Sequence, residues 1–508
     1  MNTIDPPPPA RAVAGPPPPV ADGAWHRVHP LTPAIRSWQA LVVVLVVAVQ
    51  DAGQNVLRQA AGSGLDDGGP DAAWLRTAAP VGALVLALVV GVLALSWRMT
   101  RYRVTGEALE LRHGVVVRRQ RRARLDRLQA VDLVQPLVAR IFGLARLKLE
   151  VAGGSGSSIE LSYLTDTQAR QLRNHLLAAA AGLTYQTPQA PEAPERPIAE
   201  VPVPRLIASL FLDGGVLVGI VAVTVVIAAG LAVAGVAASA GLLPAALGVV
   251  TVLWRRFASA FGFTVTVSPD GLRLRHGLLE HRAQTVPPGR VQAVQLSQPL
   301  LWRGRDWWRV VVNVAGYTGR GDNQRTENEL LPVGTRAEAV ALLALVVPDL
   351  GIEPGEDALA VVAAGLDGDG RCPGGYLTSP RQAVWVDPIA WRRNGVRVTQ
   401  EVMLVRRGRL RRRLGVVPHV RTQSCGISQG PLQRLLGLAS FHLHSTRGPI
   451  DPVVPHLRER DAADLLSDQA VRARRARRTA PPERWLERPD STSDRTGQPS
   501  AGVTPPTA

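Results

Sequence analysis

Arg127-Leu128-Gln129-Ala130-Val131, Gln135-Pro136-Leu137 and Arg140-Ile141-Phe142-Gly143-Leu144 follow one another in a single short stretch. The same signature returns as Arg290-Val291-Gln292-Ala293-Val294 and Gln298-Pro299-Leu300, with Arg303-Gly304-Arg305 where its last part would stand. It returns once more as Arg421-Thr422-Gln423-Ser424, Gln429-Gly430-Pro431-Leu432 and Arg434-Leu435-Leu436-Gly437-Leu438, with one residue added before Pro431. Each copy is preceded by a related segment: Leu109-Glu110-Leu111-Arg112-His113-Gly114, Leu272-Arg273-Leu274-Arg275-His276-Gly277, and Val405-Arg406-Arg407-Gly408. The interval from His113 to Gln129 equals those from His276 to Gln292 and from Arg407 to Gln423, so one folding unit occurs three times.

Within a copy, Leu109 and Leu111 alternate with Glu110 and Arg112, and Leu272 and Leu274 with Arg273 and Arg275, the period of half-buried strands. Turn signals at Thr105-Gly106-Glu107, Pro269-Asp270-Gly271 and Thr399-Gln400-Glu401 predict a hairpin at the start of each copy. Leu147 to Val151 and Arg309 to Val314 add further strands. Thr165-x-x-Gln168 and Thr335-x-x-Glu338 are capping boxes that open amphipathic helices, with Asp461 and then Leu465 and Leu466 a weaker version after the third copy. The unit is an antiparallel β-barrel or sandwich closed by a C-terminal amphipathic helix, a pleckstrin-homology-like (PH-like) plan.

Two apolar regions separate these units from what precedes them. Ala78 to Leu95 is almost unbroken and long enough to cross a hydrocarbon core of roughly 30 Å. Ile35 to Val49 is shorter, open to a second reading as a buried core helix, but its neighbour favours a helical hairpin. Leu206 to Trp254 carries one charge, Asp213, and at helical rise would reach roughly 70 Å, which requires two spans and a turn near Ala237 to Pro244. Arg98, Arg101, Arg103, Arg255 and Arg256 follow the even-numbered spans, whereas the first connection carries Arg58 against Asp66, Asp67 and Asp71. By the positive-inside rule both termini and all three repeats are expected to be cytoplasmic.

Taken together, the three signatures resemble those of the bacterial membrane proteins with type 2 bacterial PH domains, called YdbS-like or YdbT-like. The motif residues Gln129, Pro136, Gly143, Gln292, Pro299, Gln423, Pro431 and Gly437 carry the resemblance and imply structural roles. The resemblance implies transmembrane helical hairpins plus three PH-like domains in a bacterial inner membrane. One departure concerns the span count: Gly351 to Pro380, with Glu353, Glu356, Asp357, Asp367 and Asp369, is too polar to cross a bilayer, so four spans are expected rather than six. The expected organisation is a disordered Pro-rich cytoplasmic arm at 1–33, a transmembrane hairpin at 34–97, the first PH-like repeat at 98–182, and a Pro-rich linker at 183–204. A second hairpin at 205–254, the second repeat at 255–350, a polar linker at 351–390, the third repeat at 391–471 and a basic, then Pro/Ser/Thr-rich, disordered tail at 472–508 follow.

The chain has 58 basic and 41 acidic residues and a formal charge of +17, almost all of the excess being arginine, since Lys148 is the only lysine. Such a charge calls for acidic partners, and the apolar runs select membrane lipid over specific nucleic acid. Arg118, Arg119, Arg121, Arg122 and Arg124 form one candidate anionic-lipid contact, and Arg406, Arg407, Arg409, Arg411, Arg412 and Arg413 a second. The alternative is that they set topology or cover solvated strands. Asp213, near the inner end of its helix, is within reach of the interface; Arg472 to Arg478 read as a basic tail.

Cys372 and Cys425 are too far apart in sequence to indicate a zinc site or a disulfide framework. His442 and His444 alternate on one strand, but no third ligand stands near, and they read as sheet histidines. Gly153 to Ser158 lacks the Lys-Ser/Thr of a phosphate cradle. No catalytic or cofactor motif appears, so the expectation is a non-enzymatic membrane scaffold without a cofactor or metal. It would contact anionic headgroups and unidentified membrane or cytoplasmic proteins, with sheet edges available for homo-oligomers. A transporter or channel component with regulatory PH-like domains is the other reading.

Overall fold

In a computed structural model the chain is described over residues 23–32, 97–105, 107–114, 119–151, 159–180, 196–239, 243–268, 271–286, 288–315, 328–370, 374–446 and 448–480, with isolated positions between 87 and 95. The N-terminal hairpin expected at 34–97 therefore lies almost wholly outside the described residues, as do Arg118, Cys372 and the tail beyond 480.

The alternating segments become strands and pair with their neighbours. β1 (His26–Arg27), β2 (Arg101–Val104), β3 (Ala108–His113) and β4 (Arg119–Arg124) form the first sheet in that order. β5 (Leu128–Pro136), β6 (Leu144–Val151) and β7 (Ile159–Thr165) complete the first repeat, with a short helix α1 (Leu137–Ile141) after β5 and α2 (Asp166–Ala180) closing it. The second repeat has β8 (Arg196–Glu200), the helices α3 (Val203–Phe211), α4 (Gly214–Ser239) and α5 (Leu243–Ala260), then β9 (Thr264–Ser268), β10 (Gly271–His276) and β11 (Glu280–Val286). It continues with β12 (Val291–Pro299), β13 (Trp307–Val314), β14 (Glu329–Thr335) and α6 (Arg336–Val346). The third comprises α7 (Ala358–Asp367), β15 (Leu377–Thr378), β16 (Gly395–Val398), β17 (Val402–Arg407), β18 (Arg411–Pro418), β19 (Ser424–Ser428), α8 (Pro431–Leu435), β20 (Leu438–His444), β21 (Val453–Arg458) and α9 (Glu459–Thr479).

Sheets do not stop at repeat boundaries. β11 of the second repeat pairs antiparallel with β5 of the first, Ala283 opposite Leu133 and Glu280 opposite Pro136. β18 of the third pairs with β12 of the second, Val416 opposite Val294 and Arg411 opposite Pro299. Each junction is thus one seven-stranded sheet among the described strands. The period of two splits the second shared sheet between two cores: Val294, Leu296, Leu404, Leu414 and Val416 pack with Trp302, Trp308, Val361 and Val362, while Met403, Val405 and Val417 face Phe441, Leu443 and Leu457.

Each repeat also opens with an edge strand that lies across a long insertion from its partner. Arg27 of β1 stands opposite Arg101, Glu200 of β8 opposite Thr264, and Thr378 of β15 opposite Gly395. The connections from β1 to β2, from β8 to β9 and from β15 to β16 are therefore topologically equivalent in the three repeats. The segments read as a disordered arm and as linkers contribute folded elements here: β1, β8, α7 and β15 all fall within them. Composition concealed this, because two-residue and five-residue edge strands need only a neighbour's ladder, and α7 buries just Val361, Val362, Gly365 and Leu366. The basic run Arg472 to Arg478, read as tail, lies on α9, where Arg477 Nη1 donates to the Thr422 carbonyl at 2.6 Å.

The second helical insertion departs from two plain spans. Its first arm breaks at Leu212 and Asp213, α3 and α4 being bent by 58°, and its second arm runs past Trp254 to Ala260. Asp213 Oδ1 accepts from the Gly215 amide at 3.0 Å, a side-chain cap that starts α4 anew. Among the described residues no single helix is long and apolar enough to cross a membrane; the bent pair Val203–Phe211 and Gly214–Ala229 satisfies length and composition jointly.

Because Leu296 is fully buried in the core that joins the second and third repeats, Leu296→Ala should cost about 2–5 kcal/mol. Urea unfolding followed by hydrogen exchange should show β13 and β17 losing protection together; loss confined to β13 would contradict a shared sheet.

Candidate functional site

One end of the molecule gathers apolar tips and guanidinium groups from all three repeats. β5 finishes at Pro136 beside the start of β11, and the Leu137 amide donates to the Leu279 carbonyl at 2.6 Å, bringing α1 against the β10–β11 turn. That turn sits on the base of α5, Gly277 and Leu278 donating to the carbonyls of Phe261 and Ala258, both at 2.8 Å. The arrangement recurs at the next junction. Arg303, in the short 3-10 helix Leu300–Arg305 after β12, donates to the Arg409 carbonyl in the β17–β18 turn. Trp302 Nε1 from the same helix donates to the Ser209 carbonyl of α3 at 3.1 Å. In the third repeat α8 is tied through Gln433 to His456 at 2.7 Å.

The signature residues explain this end. Gly143 and Gly437 adopt φ of 64° after α1 and α8, a left-handed turn that glycine takes without a Cβ penalty. Their carbonyls then accept from the first amides of α2 and α9, Asp166 at 2.9 Å and Glu459 at 3.0 Å. In the second repeat Asp306 takes the place of this glycine with φ 48°, and its carboxylate accepts from Trp308 Nε1 at 2.8 Å and Gln298 Nε2 at 3.1 Å. The glutamines of the Gln-Pro-Leu part span from strand end to this turn: Gln135 donates to Asp166 at 2.5 Å and Gln429 to the Leu438 carbonyl at 2.9 Å. Gln292 Nε2 donates to the Arg290 carbonyl at 3.3 Å, and Pro431 occupies the first turn of α8.

The apolar members of the signature are not core residues. Leu137, Phe142, Leu300, Leu301 and Leu432 are exposed, Ile141 is 72% and Leu435 82% exposed, and the turn residues Leu279 and Leu410 join them. A row of this kind along one edge exceeds the scattered apolar exposure of ordinary surfaces. Sequence reading gave these apolar positions no role of their own; their recurrence at a short helix too small to bury them was the available signal.

Beneath the row lies a charge cluster around Asp213, which is only 9% exposed. Arg256 of α5 approaches its carboxylate to 3.8 Å, Arg411 of β18 to 3.9 Å and Arg309 of β13 to 4.0 Å. Arg309 also pairs with Glu329 at 3.0 Å. Burial pushes the Glu329 carboxyl up against the pull of these guanidinium groups, and burial with Arg309 nearby pulls the Arg411 guanidinium down. One carboxylate thereby ties the helical insertion of the second repeat to a strand of the third.

The predicted arginine clusters fare differently. Arg119, Arg121, Arg122 and Arg124 are exposed on β4, with Arg122 3.6 Å from Glu110 and 3.7 Å from Glu107. The second cluster does not form one surface. Arg406 is 0% exposed, lies over the Tyr376 ring and donates to the carbonyls of Ala364 and Gly370. It cannot reach lipid, because it satisfies carbonyls at and beyond the C-terminal end of α7. Arg393, whose guanidinium burial pulls down to about 10, does likewise for Gly365, Leu366 and Gly368. Arg412 turns to Asp367 at 2.7 Å, Arg411 to Asp213, and Arg407 and Arg413 are half-buried; Arg409 is exposed at the turn. Alternation along β18 sends Arg411 and Arg412 to opposite faces.

His442 and His444 stack at 6.1 Å, and His442 Nε2 shares a hydrogen bond with Ser428 Oγ at 2.7 Å. Cys425 is half-buried, which pushes its thiol up. His276 is buried against Phe263, its Nδ1 2.8 Å from the Ser259 carbonyl at the end of α5. Burial lowers its pKa from 6.5 to about 4, helped by Arg282 and His281 and opposed by the Ser259 bond.

An unfolded histidine thus binds a proton between pH 6.5 and about 4 that the folded one refuses, so stability falls as the pH falls through that window. The loss attributable to His276 should approach about 3 kcal/mol at the acid end, with His419, also lowered by burial, adding in the same direction. His276→Asn should flatten the slope in pH-dependent urea unfolding; an unchanged slope would remove His276 from the account. At neutral pH, Arg406→Leu should cost about 1–3 kcal/mol through the carbonyls it strands, whereas Arg409→Ala should stay within about 0.5 kcal/mol.

The repeated sheets and their signature find counterparts among known proteins. The Bacterial PH domain family matches residues 44–180, 215–345 and 339–472. The UPF0699 transmembrane protein YdbT of Bacillus subtilis (strain 168) is 30% identical over 95 residues, which make up 18% of this chain and 19% of that relative. With three matches that take in most of its length, each containing one copy of the signature, this chain belongs to the bacterial PH domain family.

Proposed function

We propose that the protein is an integral membrane scaffold that holds three PH-like domains against the cytoplasmic leaflet of a bacterial inner membrane, with the apolar and arginine-rich edge facing the lipid. The observation that carries this reading is that the edge runs along the bases of α3, α4 and α5. α3 and the part of α4 up to Ala229 together have the length and apolar composition of a span, bent by 58° at Leu212 and Asp213. Val218, Val221, Val225 and Val226 on α4, and Leu247, Val250 and Trp254 on α5, face outward without protein cover. Arg255 and Arg256 follow at the end where the repeats begin, in keeping with a cytoplasmic side. The transmembrane description of the relative supports the same placement.

The edge then meets headgroups with exposed leucines beside arginines. Arg140, Arg303, Arg409 and Arg434 lie on or beside the short helices and turns that carry Ile141, Leu301, Leu410 and Leu435. On β4, Arg119 stands opposite His113, and Arg124 is about 17 Å farther along at strand rise, so the first cluster approaches lipid by its N-terminal end. Asp213, engaged by three arginines and the Gly215 amide, supports an anchoring role over an ion pathway.

Photo-crosslinking phosphatidylglycerol in proteoliposomes of the full chain should label peptides containing Arg140, Arg303, Arg409 and Arg434. Replacing these four by Gln should weaken labelling by about 1 kcal/mol per arginine lost near the surface. Equal labelling by a zwitterionic analogue, or extraction of the chain by alkaline carbonate, would sink the reading.

A further inference from the structure

The third repeat has no long α-helices between β15 and β16, yet their place is filled by a short connection with one 3-10 helix, Arg381–Trp385. Residues 379–394 connect β15 to β16 where α3, α4 and α5 connect β8 to β9, between the equivalent pairs Thr378 with Gly395 and Glu200 with Thr264. This connection is built outward. Trp385 is 76% and Ile389 53% exposed, with Val384 beside them, while Ala383, Arg393 and Asn394 are buried beneath. Its frame is fixed: Asp387 accepts from the Ala390 amide at 2.9 Å and from Asn394 Nδ2 at 2.8 Å, and Arg393 holds the carbonyls at the end of α7. Asn394 Oδ1 also accepts from the Gly408 amide at 3.4 Å, which places the connection beside the β17–β18 turn and its Arg409. Arg392 stacks over Trp391 at 5.4 Å, and Arg381 is exposed at the other side.

We propose that residues 379–394 are an interfacial membrane anchor, which inserts Trp385 and Ile389 into the headgroup boundary in place of a spanning hairpin. This rests on the membrane reading given above. Three features select a lipid surface as the occupant. The connection stands where the neighbouring repeat sends its helices into the bilayer. It continues the apolar row of the shared edge. Its composition, tryptophan with isoleucine and flanking arginines around one engaged aspartate, is that of segments lying at the boundary between headgroups and acyl chains. A rigid frame means that little ordering has to be lost on contact. The third repeat would thereby be held to the same leaflet as the second without crossing it.

The test uses the full chain in proteoliposomes, with Cys372→Ser and Cys425→Ser and one new cysteine bearing an environment-sensitive fluorophore. Ile389→Cys reports the connection and Val221→Cys reports α4. Lipids brominated close to the headgroup should quench the label at 389, and lipids brominated deep in the chain should quench the label at 221. Quenching at 221 with none at 389, the latter label being open to aqueous iodide, would overturn the anchor and leave the membrane reading intact. A label at 389 shielded from iodide yet unquenched by lipid would assign the connection to a protein partner and overturn the anchor as well. Absence of lipid quenching at both positions would overturn the membrane reading itself. Because both positions are exposed, neither substitution removes a core contact, and an unchanged unfolding midpoint verifies the fold.

Discussion

A β-strand in the middle of a protein has two rows of backbone donors and acceptors, and both rows need partners. In this chain the second row of β5 and of β12 is satisfied by the next repeat, through β11 and β18. Everything else about the arrangement follows from that ladder. Antiparallel pairing brings the end of β5 to the start of β11, so α1, the β10–β11 turn and the base of α5 must meet. Repeating the step brings the Leu300–Arg305 helix, the β17–β18 turn and Asp213 together. The apolar row is thus a geometric outcome of sheet sharing, assembled from positions far apart in sequence.

Much of the repeat was legible before any coordinates. Alternation in Leu109 to Arg112 and Leu272 to Arg275 gave strands, Thr335 and Glu338 form the expected reciprocal cap at 2.7 and 3.3 Å, and the equal intervals gave three copies. What composition could not show was pairing between copies, since an edge strand and a central strand differ in neighbours more than in sequence. β1, β8 and β15 escaped for a related reason: their few residues carry no periodic signal and are strands only because β2, β9 and β16 offer a ladder. The arginine run from 406 to 413 looked like one surface because a linear reading ignores the pleat. In three dimensions Arg406, Arg411 and Arg412 have three different surroundings.

The balance of charge at the second junction repays notice. Arg256, Arg309 and Arg411 converge on Asp213 with Glu329 alongside, and Arg412 and Arg336 converge on Asp367 at 2.7 and 2.6 Å. Two acidic side chains, one at the start of α4 and one at the end of α7, therefore connect both faces of a shared sheet to helices. Partial burial makes such contacts sensitive to the loss of one partner, since a guanidinium left unpaired there keeps its desolvation cost. Junction rigidity depends on these few carboxylates as well as on the ladder.

The outermost strand of the first repeat differs in kind from its counterparts. Where β18 presents Leu414 and Val416 to its neighbour, the equivalent positions of β4 are Gln120 and Arg122, flanked by Arg119, Arg121 and Arg124. The broad face behind them is likewise polar, with Glu110 holding Arg103 and with Trp25 clasped between Arg103 and Arg112. Any further strand laid there would have to dehydrate several guanidinium groups at once. The guanidinium-lined edge of β4 consequently opposes extension of the shared sheets through this strand, so the run of linked repeats ends at the first one on that side.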